Sequence, residues 1–168
     1  MLKIRRGVFE TNSSSTHSIS IGDGLPPSCS NLTPEEEAVL RKLERTDYLL
    51  DRSLTPGCDG VLRIDANKEF GWEVEDYQDA ATKAMYCYID QYQRKDRIKM
   101  LKEVLMEQTK ATDVEFRYEP DSGYGEGKYG YIDHQSDGTS DDAFIDKETL
   151  RNFIFNQRSI LRIDNDNR

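Results

Sequence analysis

The sequence is poor in the residues that most often mark a cofactor or metal site. It holds two histidines, one tryptophan and three cysteines in 168 residues. Cys29, Cys58 and Cys87 are odd in number, widely spaced and without a Cys-x-x-Cys pair. That argues against a disulfide framework and a cysteine-held zinc ion, and suits a reducing compartment. No apolar run approaches the roughly 18 residues that span a bilayer, so no membrane partner is expected. No apolar stretch follows the basic N-terminal residues as it would in a secretory leader, and the expected location is cytoplasmic. There is no Gly-x-x-x-x-Gly-Lys-Ser loop for nucleotide phosphates and no Gly-x-Ser-x-Gly elbow for a serine nucleophile. No cofactor is expected.

Acid is plentiful and unevenly spread. Twenty-three basic and 32 acidic residues give a net charge of −9. Lys3, Arg5 and Arg6 lie near the start, whereas the stretch from Asp113 to Glu148 carries most of the excess acid against Arg117, Lys128 and Lys147 alone. Such a chain is repelled by nucleic-acid phosphates, so direct nucleic-acid binding is disfavoured. The acid either solvates the surface or docks on a basic protein.

The apolar pattern predicts one α+β domain over residues 1–168, with a mixed or mostly antiparallel sheet packed against a helix pair. Residues 1–22 read as strand, loop and strand. The apolar start runs from Leu2 to Phe9, and Ser18-Ile19-Ser20-Ile21 alternates. Thr33, Pro34 and Glu36 form a helix start with a capping box, for a helix ending near Arg45. Residues 48–55 suggest a short helical turn, Val61 to Ile64 a strand, and Phe70 to Val74 a short strand. Over 76–110 the period turns helical, with Tyr77, Ala80, Ala81, Ala84, Met85, Tyr88, Ile89 and Tyr92 on one face. A second helix over 97–109 follows, with Asp96 as its expected cap. The methionine and tyrosine stripe reads as core. Residues 113–136 predict a hairpin of 114–118 with 129–134. A helix over 147–155 and a strand over 159–163 close the fold, and the terminal strands are expected in one sheet.

The densest chemistry lies between the first two strands. Asn12, Ser13, Ser14, Ser15 and Thr16 precede His17. Hydroxyls and backbone amides in such a loop cradle phosphate or carboxylate, and Arg5 or Arg6 adds a charge-assisted contact if it faces the same side. The same residues also make ordinary local turns. The segment Arg6-Gly7-Val8-Phe9-Glu10-Thr11-Asn12-Ser13-Ser14-Ser15-Thr16-His17 resembles the opening of a group of uncharacterised bacteriophage and bacterial proteins. The resemblance covers about the first twenty residues and extends weakly to 131–136 and 153–156. It implies a phage or mobile-element setting, hence a host cytoplasm, and no particular activity.

His17 and His134 are the candidate catalytic acid and base. Ser136 follows His134 by two residues, so on a strand both share a face. This resembles one half of the paired His-x-Ser/Thr motif of the 2H phosphoesterases. The other half is missing, because Ile19 stands two residues after His17. Asp133, His134, Asp137, Asp141 and Asp142 offer metal ligands at spacings that match no EF-hand loop, so no metal site is assigned. Whether the chain is an enzyme stays open. The first expectation is a phage-type accessory protein whose polar pocket binds a small phosphate-bearing or nucleotide-like ligand, with phosphoester hydrolysis as an extension. The second is a non-catalytic acidic protein that inhibits a basic host protein or mimics nucleic acid. A structural component is the third.

Overall fold

The computed structural model of the chain describes residues 2–5, 15–22, 51, 53–71, 74–118, 130–132 and 138–165. The expected helix over 33–45 lies outside them.

Alternation builds the main sheet. In β2 (Ser15–Ile21) His17 and Ile19 are buried, while Thr16, Ser18 and Ser20, which alternate with them, are half-buried. Residues two apart on a strand share a face, so the apolar set points inward together. β1 (Leu2–Arg5) pairs antiparallel with β2, Ile4 opposite Ile19. On the other side β2 pairs antiparallel with β8 (Ile160–Asn165), His17 opposite Ile163 and Ile19 opposite Leu161. β5 (Glu75–Tyr77) completes the order β1-β2-β8-β5. The terminal strands therefore share a sheet, as expected. Strand β2 begins at Ser15, so Ser15, Thr16 and His17 belong to the ladder and not to the preceding loop.

Two smaller sheets are parallel. β3 (Val61–Asp65) pairs with β6 (Asp113–Arg117), and β4 (Glu69–Phe70) pairs with β7 (Tyr131–Ile132). The hairpin expected over 113–136 is thus replaced by parallel ladders, β6 and β7 each lying beside the chain that runs from 61 to 70. Parallel strands need a long crossover. Here it is the helix pair α1 (Ala80–Gln91) and α2 (Lys95–Thr109). At the join, Gly130 lies so close to Tyr118 that a Cβ would sit 2.6 Å from its ring.

The helix boundaries follow from caps. Asp79 accepts from the Thr82 N–H and starts α1, three residues later than the sequence pattern suggests. Residues 75–77 are strand instead. Arg94 stands at the start of α2 without a side-chain cap, and the expected cap Asp96 lies in its first turn. Lys110 ends α2 in the left-handed conformation, φ 62°. Residues 51 and 53–55 are not helical. A 3-10 helix (Thr139–Phe144) carries Asp141 and Asp142 in its first turn, and α3 (Lys147–Phe155) begins at Asp146, whose carboxylate accepts from Thr149 N–H. Leu62, Ile64, Ala84, Tyr86, Leu101, Leu105, Val114, Phe153 and Leu161 are among the buried core residues. No described helix is long and apolar enough to cross a membrane.

Candidate functional site

Of the ten residues expected to form a site, only Thr16 and His17 have described side chains. Arg5 and Ser15 are placed by strand register alone. Arg6, Asn12, Ser13, Ser14, His134 and Ser136 lie outside the described residues.

His17 faces the core. It is 1% exposed, and its Nδ1 is 2.9 Å from the Tyr86 hydroxyl of α1. The rings tilt against each other at 5.8 Å, and Phe70 of β4 meets Tyr86 edge-on at 5.1 Å. The alternation of β2 turns Thr16 to the opposite face. Register sets Arg5 opposite Ser18 and Ser15 opposite Asn165. Arg5 is thus one position out of step with His17. On the solvent side of the same sheet Ser18 pairs with Arg162, and Arg162 pairs with Asp76, which it grips through two guanidinium nitrogens. That grip holds the Asp76 carboxyl below its ordinary range. Ile132 of β7, two residues before His134, pairs with Phe70.

Two polar clusters that the sequence does not advertise lie inside the fold. Lys83 of α1 is fully buried and donates to the backbone carbonyls of Asn156 and Ser159, at 3.0 and 3.1 Å. Burial pushes its pKa down to about 8, against the pull of Asp51 and Asp79. These carbonyls close the C-terminal end of α3, where a cation suits the helix dipole. Below it, Cys87 is wholly buried, and burial raises its thiol well above the usual range, so it is no thiolate nucleophile. The second cluster joins α1 to the 3-10 helix. Asp90 accepts from the N–H groups of Gly138 and Ser140, and Gln91 donates to the Ser140 hydroxyl and to Asp141. Arg97 and Arg94 donate to Asp141 as well. Asp141, a possible metal ligand by its sequence surroundings, thus serves as an anchor between elements. Burial works against its ionisation, yet the donors from Arg97 and Gln91 win and keep its pKa low. Among the described residues no three histidine, cysteine or carboxylate side chains are grouped to hold a metal ion.

A third cluster reaches the surface. Tyr88 stacks on Phe116 of β6, centroids 4.0 Å apart and planes 11° apart. Tyr118 packs edge-on against Tyr88 at 5.6 Å and meets Tyr92 at 5.1 Å. Tyr92 is 42% exposed, so the row climbs from core to solvent. The sequence signal for it is two aromatics four apart on a helix and two aromatics two apart on a strand. Residues so spaced share a face in each case. Reading Tyr88 and Tyr92 simply as core hides this end of the row.

Comparison of the chain with models of protein families, with curated proteins and with solved structures finds no match.

Proposed function

We propose that the protein is a non-catalytic, acidic interaction protein whose partner is a basic protein surface. The observation that carries this reading is the fate of the surface charges. Arg63 is engaged by Asp59 and Glu115, Arg117 by Asp65, Arg162 by Asp76, and Lys147 by Glu103 and Glu107. These cations are neutralised by their own neighbours, and acid is left in excess. Eleven acidic residues stand against three basic ones between 113 and 148, which accounts for eight of the nine net negative charges. A surface of this kind is attracted to basic partners and speeds encounter with them. By charge alone it competes with nucleic acid for the same proteins.

The rival reading gives a small phosphate-bearing ligand to Arg5, Arg6, Asn12, Ser13, Ser14, Ser15, Thr16 and Ser136, with His17 and His134 as acid and base. It ranks second because His17 offers no exposed ring edge and already meets Tyr86. Thr16 also looks away from it. A competition assay tests the choice. A lysine- and arginine-rich DNA-binding protein is loaded on labelled duplex DNA, and this chain is titrated in at near-physiological salt. Release of the DNA is the expected result. No release, together with a nucleotide-dependent rise in melting temperature, would reverse the ranking.

A further inference from the structure

We propose that the Asp59-Gly60 pair before β3 is a latent site of aspartate isomerisation, and that Arg63 guards it by holding both oxygens of the Asp59 carboxylate. The chemistry belongs to the pair itself. The main-chain nitrogen of Gly60 attacks the side-chain carboxyl carbon of Asp59 and closes a five-membered cyclic imide. The N–H proton and the hydroxyl of the acid leave together as water. Water then reopens the imide. Cleavage at the side-chain carbon restores aspartate, and cleavage at the main-chain carbon leaves isoaspartate, with the chain running through the former side chain. Glycine in second place favours the attack because it carries no Cβ to obstruct it. Asp59 is exposed and Gly60 half-buried, so water reaches the turn.

The fold cannot dispense with this glycine. Gly60 takes φ 80°, and a Cβ on it would lie 2.8 Å from the Thr112 Oγ1. Its carbonyl accepts from the N–H and the hydroxyl of Thr112, at 2.9 and 3.1 Å, and its own N–H donates to the Gly57 carbonyl. These contacts seat β3 beside β6, beginning with Val61 opposite Asp113. Isoaspartate would lengthen the main chain by one carbon where that ladder starts. The carboxyl is therefore where restraint has to act. A protonated acid loses its hydroxyl far more readily than a carboxylate loses an oxygen. The Arg63 Nη1 and Nη2 donate to the two Asp59 oxygens at 3.1 and 2.5 Å, and the Val61 N–H donates to one of them at 3.1 Å. Glu115 accepts from the Arg63 Nε at 3.1 Å on the far side of the guanidinium. A two-pronged contact of this kind holds the carboxyl in one orientation and favours its charged form. The Arg63 donors, with the Val61 N–H, lower its pKa from 3.8 to about 2, so the reactive acid is scarce at neutral pH.

Ageing of the intact chain tests this. The parent, Arg63→Gln and Glu115→Gln are incubated at neutral pH, well below their melting temperatures. Isoaspartate at residue 59 is followed by peptide mapping and enzymatic methylation. Arg63→Gln is expected to form it about tenfold faster, the factor for each unit by which the carboxyl pKa recovers. Glu115→Gln removes a contact across the β3–β6 ladder but leaves Asp59 paired, and should age like the parent. Equal acceleration in both variants would assign the effect to a loosened ladder and overturn the guard. An Arg63→Gln rate no higher than the parent's overturns it too, as does a parent chain that isomerises at residue 59 as fast when folded as in urea.

Discussion

Lys83 is the single residue with most at stake. A buried ammonium is costly unless it is paired, and here two main-chain carbonyls receive it at the point where α3 ends and β8 begins. Lys83→Met removes the donor and leaves those carbonyls without it, so a loss of about 3 kcal/mol is expected from urea denaturation. The same residue sets a pH dependence. In the unfolded chain a lysine keeps its proton to about pH 10.4, whereas the native amine releases it near 8. Between those values the unfolded state binds more protons, so this group makes stability rise with pH. The parent chain is therefore expected to gain stability on going from pH 7.5 to 9.5 relative to Lys83→Met. Parallel curves for the two proteins would show that Lys83 does not titrate there. Gly130 makes a complementary point about space. A Cβ there would press on the Ala66 carbonyl oxygen and lie 2.6 Å from the Tyr118 ring, so Gly130→Ala forces backbone or ring to move. A loss of about 1–3 kcal/mol is expected, as for other overpacked sites, with the melting temperature as readout.

At the scale of elements, α3 depends on its first turn. Asp146 accepts from Thr149 N–H, and that contact holds its carboxyl below the ordinary range. Asp146→Ala removes this cap and should lower the denaturation midpoint. This helix was legible in the sequence because Leu150, Phe153 and Ile154 repeat at helical spacing. Strands β3, β6 and β8 were legible because one face of each is buried and the pattern alternates. What escaped is pairing. Nothing local distinguishes a strand that meets its sequence neighbour from one that meets a partner some fifty residues away. Val61 opposite Asp113 is fixed only once α1 and α2 carry the chain back over the sheet. Strand β5 escaped for another reason. Tyr77 falls in helical phase with Ala80, Ala81 and Ala84, and a three-residue strand has no period of its own to set against that. Of the candidate site, neither the strand placement of Ser15, Thr16 and His17 nor their orientation was legible. His17 reads as a loop residue beside five hydroxyl or amide side chains, and only the ladder with β8 turns it inward to Tyr86. Lys83 gave no signal, since a lysine among alanines on a helix ordinarily faces water.

For the whole molecule the question is how a net charge of −9 is tolerated. The described ion pairs are largely exposed, and each exposed pair contributes little on its own. Their collective effect shows in the carboxylates. The Arg63 contact lowers Asp59 to about 2, and Asp76, Glu103 and Asp141 are also lowered. Groups depressed in the native state contribute stability that is present above the unfolded value near 4 and fades as pH falls through the native value. Acid unfolding is therefore expected between about pH 4 and 2. Salt separates the pairs from the field. Chloride at about 0.5 M, where the Debye length drops to a few ångströms, screens both the attractive pairs and the repulsion among excess carboxylates. At pH 7 the repulsion outweighs the pairs, because it acts across the whole surface while each exposed pair is weak. Melting temperature should then rise with sodium chloride at pH 7. Near pH 4.8, where the net charge vanishes, only the pairs remain to be screened, and the same salt should lower it or leave it unchanged. A salt-induced fall at pH 7 would mean that the ion pairs, and not the surplus acid, govern the electrostatics of this surface. A basic partner would then meet a surface whose charges are already spent on one another, with no net field to draw it in.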